Sequence, residues 1–193
     1  MAIRIIAGKY GHRMIAAPPG TDTRPTLGRT REALFSILYG KINQSRVLDL
    51  FAGSGALGFE ALSRGAAFCV FCDKAPQAIR TLQDNIRLLK AENESRVLKG
   101  DWQKNLQTFK IQNESFDLIF LDPPYRLDVN EVLQTLWDYR LLAKHGIIIA
   151  EHGADHEVRS AGDYTVYDRR QYRDTVLTFL ERRNEDAESA LPG

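Results

Sequence analysis

Five short apolar runs, separated by stretches with helical spacing, constrain the fold of this chain more than any other feature. The runs are Val47–Phe51, Phe68–Asp73, Arg96–Leu98, Phe116–Asp122 and Gly146–Glu151. The clearest intervening helix spans Ala75–Lys90, where Ala78, Ile79, Leu82, Ile86 and Leu89 form one stripe. Short apolar strands alternating with helices predict a parallel sheet covered on both faces. Right-handed crossovers then make it a doubly wound, Rossmann-like α/β fold. The alternation stops near the end. Tyr164–Tyr167 and Thr175–Leu180 read as strands with no helix between them, an antiparallel hairpin added to the sheet edge. That makes seven strands, mostly parallel.

The start of the chain differs from the rest. Arg4–Gly8 and Arg13–Ala17 read as two short strands around a turn at Lys9–His12, and Pro18-Pro19-Gly20 ends the hairpin. A helix is expected over about Leu27–Ile42, with Leu34, Ile37, Leu38 and Ile42 on one side. The expected organisation is a basic hairpin and linker at 1–26, a main domain at 27–182 and a polar, disordered tail at 183–193. The net charge is only +1, yet Arg4, Lys9, Arg13, Arg24, Arg29 and Arg31 face Asp22 alone in the first 31 residues. Such a segment is either a solvated basic face or an arm that docks on phosphates.

Several classes are excluded. No apolar run approaches the roughly 18 residues that span a bilayer, and Met1-Ala2-Ile3-Arg4 lacks signal-peptide character. Two cysteines make no disulfide framework, so the expectation is a cytoplasmic protein. Cys69 and Cys72 form a CxxC pair within an apolar strand, where residues three apart face opposite sides. They read as core thiols. His152 and His156 mimic metal-ligand spacing beside Glu151, but Gly153 lies between them in a post-strand loop. His12 and His145 have no partner in the pattern. No metal is expected.

The first strand of the alternating region runs into Asp49-Leu50-Phe51-Ala52-Gly53-Ser54-Gly55-Ala56-Leu57-Gly58. Gly53, Gly55 and Gly58 match G-x-G-x-x-G between a strand and a helix, the setting of a nucleotide-type site at a helix N-terminus. Asp73 ends the next strand, where an acid holds a ribose. Asp49 separates two possible cofactors. A carboxylate there repels a pyrophosphate but suits the ammonium group and sulfonium of S-adenosylmethionine (SAM). A purely structural role for Asp49, capping the loop backbone, stands beside this reading. Asp101 and Trp102 follow the third strand. They suit an adenine amino group and its ring, or a helix N-cap and a core aromatic.

The strongest signal is Asp122-Pro123-Pro124-Tyr125, directly after an apolar strand. Two prolines stiffen the loop and remove two backbone donors. Carbonyls and one carboxylate remain, all acceptors, with Tyr125 offering a flat face. A ring-conjugated amine is a poor nucleophile because its lone pair is delocalised. Acceptors that grip its N–H groups orient it and favour the pyramidal, attacking geometry, while an aromatic ring stacks the displaced base. A rigid turn without function is the plainer alternative.

Together these residues resemble the class I SAM-dependent amino-methyltransferases. Arg4-Ile5-Ile6-Ala7-Gly8, Arg24-Pro25-Thr26, Arg31-Glu32-Ala33-Leu34-Phe35 and Glu60-Ala61-Leu62-Ser63-Arg64-Gly65-Ala66 narrow the resemblance to the RsmD family. It covers residues 3 to about 182. It implies methyl transfer from SAM to N2 of one guanine in bacterial 16S rRNA, at position 966 in the usual rRNA count. The implied substrate is the small ribosomal subunit or its assembly intermediate, met by a monomer. Carried over by motif, Asp49, Phe51, Gly53, Ser54, Gly55, Asp73, Lys74, Asp101 and Trp102 bind SAM. Asp122 and the Pro123 carbonyl hold the guanine amine, and Pro124 and Tyr125 contact the base. Arg4, Arg24 and Arg31 match positions near the RNA. The alternatives are a DNA adenine-N6 or protein glutamine methyltransferase, and a non-catalytic ribosome-assembly factor. A nicotinamide oxidoreductase leaves Asp49 and the acceptor loop without a role.

Overall fold

The structure is a computed structural model that describes residues 2–18, 25–124 and 126–183. Two short strands, β1 (Ala2–Arg4) and β2 (Met14–Ala16), pair antiparallel, with Ile3 opposite Ile15. Helix α1 (Pro25–Ile37) follows. The alternating region gives β3 (Arg46–Asp49), α2 (Ala56–Ser63), β4 (Phe68–Asp73), α3 (Pro76–Leu89), β5 (Ser95–Lys99), α4 (Trp102–Ile111), β6 (Phe116–Leu121), α5 (Val129–Asp138) and β7 (Leu142–Gly153). Strands β8 (Tyr164–Tyr172) and β9 (Thr175–Arg182) complete the sheet.

The order across the seven strands is β5-β4-β3-β6-β7-β9-β8. The first five are parallel. Strand β9 runs antiparallel to both β7 and β8, so the last strand inserts next to β7 and β8 takes the edge. Chain order reverses between β3 and β6. In an open α/β sheet the crevice beyond the strand ends at this point is where ligands bind. Asp49 ends β3 and Asp122 follows β6, so the topology brings together the two acids singled out from sequence.

Apolar side chains fill both faces of the sheet. On one side Val47, Cys69, Phe71, Leu118 and Phe120 pack under α2 and α3; on the other Leu48, Val70, Cys72, Ile119 and Leu121 pack under α4 and α5. Both cysteines are buried, one on each face, as the period-two rule requires.

The helix expected to reach Ile42 stops at Ile37. Gly40 takes a left-handed φ of 83° and turns the chain, although Leu38 and Ile42 stay in the core. The second N-terminal strand falls within its expected span, but the first ends at Arg4 rather than running on to Gly8, for a tertiary reason. Ile5 still exchanges backbone bonds with Arg13 and His12, but residues 6 and 7 turn away because Ile6 N–H and Ala7 N–H donate to the Glu60 carboxylate, at 2.7 and 3.2 Å. Glu60 is wholly buried in α2 and also accepts from Arg64 Nε at 2.7 Å. Ser63 adds its hydroxyl to the Ala7 carbonyl and accepts from Tyr10 N–H. The backbone approaches so closely at Gly8 (φ 84°) that a Cβ would lie 1.8 Å from the Ser63 carbonyl oxygen. Ile5, Tyr10 and Ile15 join the same core as the sheet, so the hairpin is fastened to α2 along its length.

Candidate active site

The glycine loop is built from both ends. Asp49, 3% exposed, accepts from Gly58 N–H at 3.0 Å through Oδ2 and so caps the first turn of α2. Gly58 has no room for a side chain, since a Cβ would meet the Phe71 ring at 2.3 Å and Cys69 Sγ at 2.6 Å. This contact seats α2 on β4. Gly53 and Gly55 both take left-handed conformations, and a Cβ on Gly53 would meet nothing within 4 Å. The loop backbone therefore lies open where a ligand would approach. Asp73 accepts from Gly53 N–H at 2.9 Å and, through its other oxygen, from Ala75 N–H at 2.8 Å. It fixes the loop to the start of α3. Asn85 on α3 ties in the hairpin: its amide donates to the carbonyls of Ser54 and Ala16 and accepts from Ala16 N–H.

A cavity of about 600 Å³ opens over these elements. Asp49, Phe51, Gly53, Ser54 and Asp122 line its floor, and Arg4, Arg29 and Arg31 stand on the opposite wall, carried by β1 and α1. Of the remaining residues expected to hold the cofactor, Gly55 caps α2, while Asp73, Lys74, Asp101 and Trp102 lie at the same sheet edge beyond β4 and β5. Asp101 is the α4 N-cap residue without a side-chain bond to that helix, and Trp102 is half-buried against the core. A second cavity of about 160 Å³ adjoins the first and is lined by Asp122, Pro123, Pro124, Leu127 and Glu151. Arg24 and Tyr125 lie outside the described residues.

Acid dominates the floor. Burial is the main force that lifts the Asp49 carboxyl to about 7; the Gly58 N–H opposes it, and Asp122 and Asp73 reinforce it. Asp122 has an open face, but that face looks into the cleft, and the surrounding protein raises its carboxyl. Glu151, at the end of β7, is raised first by burial and then by the charge of Asp122. No hydrogen bond or ion pair joins Asp122 or Glu151 to another described side chain. The wall is basic but unevenly so. Lys9 pairs with Glu94, and Arg13 donates to the Leu88 carbonyl, so both are turned onto the protein. Arg31 donates to the Arg4 carbonyl at 2.6 Å, and burial lowers its pKa against the pull of Glu60.

Sequence reasoning passed over Glu151, Glu60, Asn85 and Arg29. Glu151 had a legible signal. Each of the first five parallel strands ends in, or is soon followed by, an acid: Asp49, Asp73, Asp101, Asp122 and Glu151. Glu60 and Asn85 gave none, because their partners are backbone atoms far away in sequence. His152 and His156 do not converge. His152 Nδ1 faces the Gly153 carbonyl, its Nε2 accepts from Thr178 Oγ1, and His156 Nδ1 pairs with Asp155. Another cavity, of about 490 Å³, lies at the far end of the strands among Lys41, Asp117, Lys144 and Glu181, away from the glycine loop.

The chain is similar to known proteins over most of its length. The Ribosomal RNA small subunit methyltransferase D of Haemophilus influenzae is 35% identical over 167 residues, covering 85% of this chain and 86% of the relative. The protein of that name from Escherichia coli K12 is 38% identical over 151 residues, 77% of this chain and 74% of the relative. Among solved structures, the Thermus hypothetical protein TTHA0928 superposes with a TM-score of 0.81 at 31% identity, covering 93% of this chain and 99% of that one. A family model described as conserved hypothetical protein 95 matches residues 3–181, and the chain belongs to that family, the RsmD family resembled in its motifs.

Proposed function

We propose that this protein transfers a methyl group from SAM to the exocyclic N2 of a guanine in small-subunit rRNA, the position-966 guanine of the family resemblance. The observation that carries the reading is Asp122, which follows β6 and lines one cavity with Asp49 and the open glycine loop while Pro123 and Pro124 line the cavity beside it. The residues suit SAM. Asp49 offers a buried carboxylate to an ammonium group, and Gly53 leaves its approach clear. Asp73 and Asp101, at the ends of neighbouring strands, suit a ribose and an adenine amine. When bound, SAM supplies a methyl group on a sulfonium, activated for in-line attack.

The protein's own residues then have one task, which is to present the amine. Asp122 and the Pro123 carbonyl accept its N–H groups and orient its lone pair, and Tyr125 stacks the base. Positioning of this kind supplies much of the acceleration. Asp122 need not take a proton early, because the methylated ammonium is strongly acidic once formed. Arg4, Arg24, Arg29 and Arg31 face the RNA backbone. In this reading residues 1–26 dock the RNA and residues 27–182 carry the chemistry, in a monomer acting in the cytoplasm.

The test is methyl transfer from labelled SAM to four acceptors: small subunits lacking the mark, deproteinised 16S rRNA, duplex DNA and a protein extract. N2-methylguanosine on subunits is the expected product. Label on DNA or protein overturns the substrate, and subunit binding without turnover favours an assembly factor.

A further inference from the structure

Glu151 has no part in the chemistry above, yet it faces both cavities. It lies near the end of β7, the strand beside β6, and the charge of Asp122 acts on its carboxyl. The smaller cavity, about 160 Å³, lies on the far side of these two acids from the glycine loop. Its walls combine Pro123, Pro124, Leu127 and Val129 with the polar side chains of His152, His156 and Thr175. At about 160 Å³ it is smaller than the roughly 300–1,000 Å³ of pockets that enclose a drug-sized ligand. Two carboxylates with no described side-chain partner at the mouth of a small pocket are costly unless a ligand brings donors to both.

We infer that this pocket takes the displaced base and that Glu151 reads it, accepting from the ring N1–H and one amine N–H of guanine while Asp122 accepts from the other amine N–H. The inference rests on the proposed guanine-N2 reaction and deepens it. Guanine presents three adjacent N–H donors along that edge. Adenine presents an amine beside a bare ring nitrogen, whose lone pair would face the Glu151 carboxylate. The arrangement therefore selects guanine by repelling the competitor as well as by pairing with the substrate. A site built on buried hydrogen bonds rejects an analogue that leaves them unmade far more strongly than an apolar pocket does. Burial and Asp122 raise the Glu151 carboxyl in the free protein, which is the strain that two N–H donors would relieve.

The test uses small subunits carrying either guanine or 2-aminopurine at the target position. The analogue keeps the exocyclic amine but has an unprotonated N1 and no O6. The wild-type protein should methylate guanine at least about 10²-fold faster in kcat/KM. Glu151→Gln should bring the two rates within about tenfold, because the glutamine amide donates to the bare N1. SAM affinity should stay within about twofold, showing that the fold and cofactor site are intact. Glu151→Asp keeps the acceptor but shortens its reach, so it should lower both rates while preserving the preference. Should Glu151→Gln lower both substrates equally, or keep the wild-type ratio, the base-reading role is overturned. Should the wild type label neither substrate, the guanine-N2 reaction itself falls.

Discussion

The two sides of the cleft are built on opposite plans. The floor is acid held by the sheet: Asp49, Asp122 and Glu151 stand at the ends of three adjacent parallel strands, and burial raises all three carboxyls. The wall is base held by the hairpin and α1, and its cations divide between two tasks. Lys9 and Arg13 face inward to Glu94 and Leu88, while Arg4, Arg29 and Arg31 line the cavity. A rigid floor suits chemistry that needs exact placement. A basic rim suits a long polyanion, whose backbone carries no chemical choice. The charge of the first 31 residues is thus a poor measure of RNA contact, because only part of it faces outward.

The sharpest way to break this division is at the floor. Asp122→Ala should lower methyl transfer by about 10²–10³-fold, the loss typical of one oriented polar group. SAM affinity, read by calorimetry, should be unchanged; full activity would remove Asp122 from the mechanism. Next in size is the joint between floor and wall. Glu60→Ala removes the acceptor of Ile6 N–H, Ala7 N–H and Arg64. Stability in urea should fall by about 3 kcal/mol, as for other broken buried charge networks.

The wall gives a smaller, salt-dependent effect. Arg4→Glu with Arg29→Glu should weaken subunit binding and flatten its salt dependence by about one to two units of slope. Lys9→Gln should change neither, since its charge is spent on Glu94. Equal effects from both changes would erase the distinction between inward and outward cations. A separate effect is a drift with pH. The folded-state pKa of Asp49, about 7, lies above its unfolded value of 3.8, so the folded state binds more protons between these values. Stability of the ligand-free protein is greatest below pH 4 as far as this group is concerned and is lost as pH rises through 7. Asp49→Asn should flatten that decline in thermal melts and weaken SAM binding.

The floor was far more legible in the sequence than the wall. Strand-end acids and the Asp-Pro-Pro-Tyr loop are local signals, carried by residues adjacent in the chain, and β4 runs over Phe68–Asp73 as read. The wall depends on Glu60, Ser63 and Asn85 meeting backbone atoms more than 50 residues away. No period or spacing encodes such pairings, so the early end of the hairpin's first strand and its attachment went unread. Glu151 falls between these cases. It closes an apolar run as plainly as the others, but the sequence reading weighs it only beside His152 and His156, in a metal-ligand pattern that it rejects.

The position of β9 has a consequence in time. Glu151 pairs with Leu177, and Gly153 with Thr175, so β7 lacks one of its neighbours until the chain has been made almost to Arg182. A nascent chain can assemble the glycine loop and the hairpin's anchor on α2 well before that point. The strand that carries Glu151 is fully seated only once β9 has been made. The cofactor side of the cleft would thus be ready first, and the base side would wait for β9.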